Sequence, residues 1–145
     1  MIRHALGALV LLASASWAVM PDPSASADPD LVLGEQAVRA ARYDAGIPYL
    51  RAALTRAPDE PDIHVYLALA LRQTGAAEAA AQHYATALRL DPAHKGALAY
   101  QGVLLLHTGD RAGAEANLDR LRGLCPSGCN ERDELARELA RTAAR

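Results

Sequence analysis

The sequence contains no phenylalanine, and aromatic residues make up only 4% of its 145 positions. It also lacks runs in which valine, isoleucine or threonine alternate with polar residues, so it does not indicate a β-sheet. Hydrophobic residues nevertheless account for 51% of the chain, and most of them are alanine or leucine, which favour helices. The composition therefore predicts an all-α protein, and the length allows a single domain.

Basic residues and catalytic motifs are also scarce. The formal net charge is −2 and Lys95 is the only lysine, which argues against a nucleic-acid-binding protein. The sequence has no GxSxG, HExxH, P-loop or GxGxxG motif that would supply a nucleophile, a metal site or a phosphate-binding loop. We therefore expect a protein that is not an enzyme and that needs no cofactor.

The first 18 residues have the three zones of a secretory signal peptide. Arg3 and His4 give a positive start, an apolar stretch follows, and Ser16-Trp17-Ala18 places small residues around a cleavage point. The apolar stretch is shorter than the roughly 20 residues that a membrane-spanning helix needs. We expect cleavage after Ala18 and a periplasmic or secreted protein; an uncleaved N-terminal membrane anchor is the alternative. Residues 19–29, rich in proline, serine and aspartate, are predicted to form a flexible linker.

Prolines and glycines recur at a fixed spacing through the rest of the chain. Pro58, Pro92 and Pro126 lie 34 residues apart, and Gly75 and Gly109 are separated by the same interval. A period of this size is typical of a protein built from stacked structural repeats. Apolar residues at helical spacing on both sides of each glycine predict two helices per repeat.

The second repeat is the clearest. Its apolar, turn and terminating positions are Leu67, Ala68, Leu71, Gly75, Ala80, Tyr84, Ala87 and Pro92. These residues resemble the pattern of the tetratricopeptide repeat (TPR) family, although His64 occupies a position that is usually bulky and apolar. We expect His64 to be partly buried beside a local partner. The third repeat follows the pattern with Leu98, Gly102, Leu105, Gly109, Ala114, Leu118, Leu121 and Pro126.

The first repeat matches the family pattern in part, because Ala41 replaces the turn glycine and Gly46 replaces a small alanine. The resemblance implies a right-handed α-solenoid of three TPR helical hairpins over residues 30–126, with units at about 27–60, 61–94 and 95–128. A further helix over residues 130–143 is predicted to cover the exposed apolar end of the solenoid. Asn130 is its predicted N-cap.

Cys125 and Cys129 are the only cysteines, and they flank Pro126-Ser127-Gly128, which turns the chain. Behind an export signal the compartment is oxidising, so an intramolecular disulfide between the last repeat and the capping helix is one interpretation. Thiol-redox exchange and metal handling by the same pair are the alternatives. The mature chain's histidines, His64, His83, His94 and His107, do not have the spacing of a metal site, and we expect none.

The first helices of stacked units line the concave, partner-binding surface in the TPR family. By register, the resemblance places on that surface Val32, Glu35, Arg39, Val65, Tyr66, Leu69, Arg72, Ala99, Tyr100, Val103 and His107. Tyr66 and Tyr100 occupy the same position in adjacent units, and packing between helices is the alternative role for both. Arg39 and Arg72 are candidates to pair with a carboxylate on a bound peptide.

The leading hypothesis is an exported TPR scaffold or adaptor that binds a segment of another envelope protein in its concave groove. A thiol-redox or metal-handling chaperone that uses Cys125 and Cys129 is a second hypothesis. An accessory factor in cytochrome c assembly is a narrower version of the first, and self-association through the first repeat is a third possibility.

Overall fold

The structure of the protein is a computed structural model, and it describes residues 28–143. This part of the chain consists of seven α-helices and no strand: α1 (Pro29–Arg39), α2 (Tyr43–Arg56), α3 (Pro61–Gln73), α4 (Ala77–Leu90), α5 (Lys95–His107), α6 (Arg111–Leu124) and α7 (Asn130–Ala143). The prediction of an all-α solenoid of helical hairpins is confirmed. None of these seven helices combines the length and the hydropathy needed to cross a membrane. The predicted signal peptide, residues 1–18, lies outside the described residues.

The helices pack as consecutive hairpins. Helix α1 packs on α2, α3 on α4, and α5 on α6, while α2 contacts α3 and α4 contacts α5 across the boundaries between hairpins. The second helices, α2, α4 and α6, begin at Tyr43, Ala77 and Arg111, and therefore keep the 34-residue spacing of the sequence. Helix α7 packs on both α5 and α6 and thus covers the end of the stack.

Helix α1 begins at Pro29, the last residue of the predicted linker, and its N-cap is Asp28. The Asp28 carboxylate caps the helix by accepting hydrogen bonds from the Asp30 and Leu31 N–H groups at 2.9 and 3.3 Å. Pro29 follows at the first helical position, where its missing N–H costs nothing. Arg56 at the end of α2 binds the same carboxylate at 2.7 Å, and this bond lowers the pKa of Asp28 to about 2. Residues 28 and 29 therefore belong to the first hairpin.

The turn within each hairpin has one hydrogen-bonding pattern. The N–H groups of Arg42, Ala76 and Asp110 each donate, at 2.8 Å, to the carbonyl five residues earlier. This geometry places the preceding residue in the left-handed region, which glycine enters without steric cost. Gly75 and Gly109 have φ of 91° and 89°, as the sequence predicts, whereas the first hairpin uses Ala41 at φ 56°.

Small residues bring the helices of the first hairpin close together. A Cβ added to Gly34 on α1 would lie 2.6 Å from the Leu50 Cγ on α2. A Cβ on Gly46 would lie 3.2 Å from the Gly34 carbonyl oxygen. Leu50 is fully buried between the two helices. The family pattern has alanine at the position of Gly46, but here the two helices are so close that even a methyl group would make a tight contact.

The core extends through the stack in two clusters that share Leu88 at their boundary. The first cluster centres on α3 and α4, where Tyr84 is fully enclosed and Ala80 and Ala87 allow close helix contact. The second cluster joins α5 and α6 to α7 through side chains that include Leu98, Leu118, Leu121, Leu135 and Leu139. Each hairpin thus buries apolar side chains both between its own two helices and against a neighbouring hairpin or α7.

Helix α7 begins at Asn130 rather than one residue later. The Cys129 carbonyl accepts the first helical hydrogen bond, from the Asp133 N–H at 3.1 Å. Asn130 is therefore the first residue of the helix and not its N-cap, which corrects the sequence-based assignment. Arg132 holds the preceding turn by donating to the Cys125 and Pro126 carbonyls at 3.2 and 3.3 Å.

His64 is buried on α3 and contacts a second histidine. Its Nε2 lies 2.8 Å from the Pro58 carbonyl oxygen and donates to it, so its Nδ1 accepts from the His83 Nδ1 at 3.0 Å. Burial, together with His64 and the Arg51 charge, lowers the pKa of His83. The polar residue at an apolar TPR position is therefore satisfied by a partner within its own hairpin, as expected from the sequence.

Replacing Ala41 with glycine should stabilise the protein by about 1 kcal/mol, because glycine removes the steric cost of the left-handed conformation. The matched change is Gly75→Ala, which should lower stability by about the same amount. No atom lies within 4 Å of a Cβ at Gly75, so its cost comes from the backbone alone. Urea unfolding followed by circular dichroism measures both changes. A loss of stability in Ala41→Gly would contradict the assigned turn.

Candidate functional site

Alternate helices line one groove that runs across the stack. The groove has a volume of about 420 Å³. It is surrounded by residues of α1, α3, α5 and α7 and by His94, which directly precedes α5. The lining consists of Val38, Arg39, Asp62, Val65, Tyr66, Leu69, His94, Gly96, Tyr100, Asn130, Glu131 and Glu134. The floor is apolar and aromatic, and most of the charged groups lie at the two ends.

Five of the residues predicted from register come together in this groove: Arg39, Val65, Tyr66, Leu69 and Tyr100. Val65 is almost entirely buried and contributes only the edge of its side chain, whereas Tyr66, Leu69 and Tyr100 are half-buried. The last three side chains therefore offer most of the apolar surface that a ligand could contact.

Glu35 joins α1 to α3 beside the groove. Its Oε1 accepts hydrogen bonds from the Tyr66 hydroxyl and from the Arg39 Nε, both at 2.8 Å. Arg39 also donates to the Tyr66 oxygen at 3.0 Å, and its guanidinium lies 5.9 Å from the centre of the Tyr66 ring. The three residues form a closed network, which we call the clasp. The clasp fixes the Tyr66 ring and partly neutralises the Arg39 charge.

The clasp shifts the ionisation of its members. Burial raises the pKa of Glu35, but the hydrogen bonds from Tyr66 and Arg39 outweigh burial and leave that pKa below its ordinary value. Burial and the Glu35 carboxylate raise the pKa of Tyr66 to about 12. At neutral pH the phenol therefore stays protonated and donates to an ionised carboxylate.

Arg72 does not line the groove. Within residues 28–143, neither its Nε nor the hydroxyl of Tyr84 has a hydrogen-bond partner, although both atoms are buried. Burial raises the pKa of the Tyr84 phenol, and the neighbouring Arg72 charge opposes that shift. The structure therefore places the half-buried Arg72 beside Tyr84, with its Nε buried, and not among the residues that line the groove.

Val103 and His107 also lie outside the groove. Val103 is buried in the cluster that α7 completes, together with Leu135 and Leu139. A Cβ added to the adjacent Gly102 would lie 2.7 Å from Leu135, so α7 sits directly on this part of α5. His107 is exposed in the last turn of α5. The predicted surface is shortened at this end because the capping helix covers it.

Helix α7 supplies groove residues that the register argument did not include. Asn130 and Glu134 follow Gly96 and Tyr100 by the same 34 residues that separate the earlier units. Helix α7 therefore occupies the place of the first helix of a fourth unit. Extending the period past residue 128 would have placed Glu134 in register with Tyr66 and Tyr100.

His94 was also missed as a groove residue. Its Nδ1 caps α5 by accepting from the Ala97 N–H at 3.1 Å, so the proton lies on Nε2, which donates to the Asp62 carboxylate at 2.8 Å. The histidine thereby links α5 to α3. Burial raises the pKa of Tyr100; the Glu134 and Glu131 carboxylates add to this shift, and the weaker effects of the Arg39 and Arg72 charges oppose it. Negative charge thus dominates the α7 end of the groove.

The two cysteines lie at the junction between α6 and α7. Their sulfur atoms are at disulfide distance and their Cα atoms are 6.0 Å apart. Gly128 adopts φ 109° within the turn that they enclose. Among residues 28–143, no group of three or more histidine, cysteine, aspartate or glutamate side chains is arranged to hold a metal ion.

Two overlapping stretches, residues 31–95 and 78–128, match the family model of the tetratricopeptide repeat. The chain belongs to the tetratricopeptide repeat family. This TPR chain is similar in structure to the Sgt2 TPR domain from Aspergillus fumigatus, with 25% identity, a TM-score of 0.71, and coverage of 86% of this chain and 80% of that domain.

Two further structures similar to this chain contain a bound partner. PcrH in complex with the chaperone-binding region of PopD has 21% identity and a TM-score of 0.66, and the match covers 79% of this chain and 86% of PcrH. The first TPR of Spaghetti (RPAP3) bound to the HSP90 peptide SRMEEVD has 20% identity and a TM-score of 0.67, with coverage of 80% and 94%. These two likenesses show the fold. No curated protein sequence matches this TPR chain significantly.

Tyr66→Phe should lower the free energy of unfolding by about 1 kcal/mol, because it leaves the Glu35 carboxylate without one of its donors while keeping the ring. Tyr100→Phe is the matched control: within the described residues, the Tyr100 hydroxyl makes no hydrogen bond, so little change is expected. Urea unfolding of both variants measures the difference. Equal effects of the two changes would contradict the clasp.

Proposed function

We propose that this TPR chain is a non-enzymatic interaction module that binds a segment of another polypeptide in its groove. The main support for this proposal is the groove floor, which is formed by Tyr66, Leu69 and Tyr100. Its half-buried apolar and aromatic surface continues across successive units of the stack. Large aromatic side chains held on rigid helices are typical anchors of polypeptide binding. The two ligand-bound neighbours support this class of function without identifying the partner.

The dimensions of the groove fit an extended segment. Four helices line it, and neighbouring helices pack 8–10 Å apart, so the groove spans roughly 27 Å. An extended chain advances about 3.4 Å per residue, which gives a segment of about eight residues. A peptide of this length would cross the layers of the stack and contact Leu69 and Tyr100 together.

The proposal does not include the carboxylate clamp of chaperone-binding TPR domains. The corresponding positions hold Val65, Leu69, Gly96 and Tyr100, which offer no cation. Arg39 and Arg72, the sequence-based candidates for pairing with a peptide carboxylate, are respectively bound to Glu35 and packed against Tyr84. Recognition of a C-terminal carboxylate is therefore not part of the proposed function.

We further propose that the module works outside the cytoplasm, as a periplasmic or secreted protein. The support is the sequence pattern of residues 1–18 and a cysteine pair at disulfide distance, which an oxidising compartment would keep bonded. In this proposal Cys125 and Cys129 form a structural bridge that ties α6 to α7. Such a bridge would hold the groove wall that α7 provides.

Selection from a phage-displayed library of random 12-residue peptides tests the proposed function. Peptides enriched on the purified protein should bind at least about tenfold more weakly to the double variant Leu69→Ala/Tyr100→Ala, since both anchors are lost. The matched control is Tyr49→Ala/Leu124→Ala, which removes the same two side-chain types from exposed positions outside the groove. Fluorescence anisotropy gives the affinities, and circular dichroism verifies that both variants are folded.

Two results would refute the groove assignment. One is binding that is unchanged in Leu69→Ala/Tyr100→Ala while that variant remains folded. The other is the failure of the library to yield any peptide enriched over a blank surface.

A further inference from the structure

The charged residues around the groove indicate a ligand that has charged as well as apolar side chains. Resting on the proposed function, we infer that the groove selects a polypeptide segment that carries lysine or arginine next to apolar residues. Its cationic side chains would lie at the α7 end of the groove, and its apolar side chains would lie over the floor. The occupant is a segment of a separate protein.

Negative charge exceeds positive charge among the lining residues. Asp62, Glu131 and Glu134 bring three carboxylates, whereas Arg39 brings the only guanidinium. Arg39 is bound to Glu35 within the clasp, at the α1 end. A bound segment therefore meets a guanidinium already paired with Glu35 at the α1 end and, at the α7 end, two glutamates that form no salt bridge within residues 28–143.

Nearby positive groups offset the acidic end only in part: the Arg39 and Arg72 charges oppose the rise that Glu134 and Glu131 cause in the pKa of Tyr100, each by less than either carboxylate. Lys95 is exposed at the start of α5 and does not line the groove. Arg132 is directed to Asp133 and to the carbonyls of the preceding turn. The positive end of the α7 dipole amounts to about half a charge, which is less than the two glutamates in its first turns. The acidic end is therefore available to a cationic ligand.

At the α7 end, a lysine or arginine side chain of the bound segment would lie beside the aromatic ring of Tyr100. Glu131 and Glu134 lie next to Tyr100, and both carboxylates act on its phenol. A lysine or arginine over this ring would contact its face and at least one carboxylate together, which combines a cation–π contact with an ion pair. The next apolar residue of the segment would then reach Leu69 and Tyr66 on α3.

This chain's own neighbouring segment does not have the required chemistry. Residues 19–27, directly before the described part, contain Asp22 and no lysine or arginine. Residues 1–18 do contain Arg3 beside apolar residues, so a synthetic peptide of this sequence belongs in the test.

The test uses the peptides enriched by the library selection. Those whose binding requires Leu69 and Tyr100 should be rich in lysine or arginine flanked by apolar residues. Their affinity should fall about three- to tenfold at low ionic strength in Glu131→Gln/Glu134→Gln, and the affinity of the unmodified protein should fall similarly on raising the salt concentration. Glu78→Gln/Glu115→Gln is the matched control, because it changes the net charge equally at exposed positions outside the groove.

Two further measurements keep the result independent of the stability of α7. Replacing the peptide's arginine with citrulline, or its lysine with acetyl-lysine, should weaken binding to the unaltered protein by a similar factor. The charge-reversed variant Glu131→Lys/Glu134→Lys should bind peptides in which glutamate replaces those cations better than the original peptides.

The outcomes separate this inference from the proposed function. Enriched peptides that require Leu69 and Tyr100 but are acidic or uncharged would overturn the charge preference and leave groove binding intact. Peptides that bind independently of Leu69 and Tyr100 would overturn both. Tighter binding of the synthetic peptide of residues 1–18 than of every selected peptide would overturn the assignment to a separate partner.

Discussion

Close contact between helices at small residues is the constraint on which the rest of this structure depends. A helix pair built mainly from alanine and leucine has too little side-chain volume to enclose its apolar face alone, so each pair packs on the next. The approach is closest where side chains are absent: Gly34 faces Leu50, and Gly102 faces Leu135. At these contacts an added methyl group would overlap a leucine side chain.

Helix α7 combines two roles that follow from this constraint. It covers the apolar end of the third unit through Leu135 and Leu139, and it lines the groove through Glu131 and Glu134. The two roles use adjoining parts of one side of this short helix, because Glu131, Leu135 and Leu139 follow each other at intervals of four residues and Glu134 lies beside them. Closure of the stack therefore determines which charges a ligand meets.

Local chemistry made much of the fold predictable. Gly75 and Gly109 mark turns that need positive φ, and the 34-residue period positions the second helices correctly. Part of the groove was also predictable, because register alone placed Tyr66 and Tyr100 on one surface. The clasp and the burial of Val103 under α7 depend on tertiary contacts between distant helices, which spacing within a repeat does not encode.

Hydrogen exchange measured by mass spectrometry on Gly102→Leu tests most directly whether α7 closes the stack by direct contact with α5. The new side chain would occupy the space of Leu135, whereas Gly123→Leu adds the same side chain at an exposed helical glycine with no atom within 4 Å. We predict faster exchange in α7 and α5 of Gly102→Leu, unchanged exchange in α1 and α2, and no change in α5 or α7 of Gly123→Leu. Unaltered protection of α7 in Gly102→Leu would contradict the account.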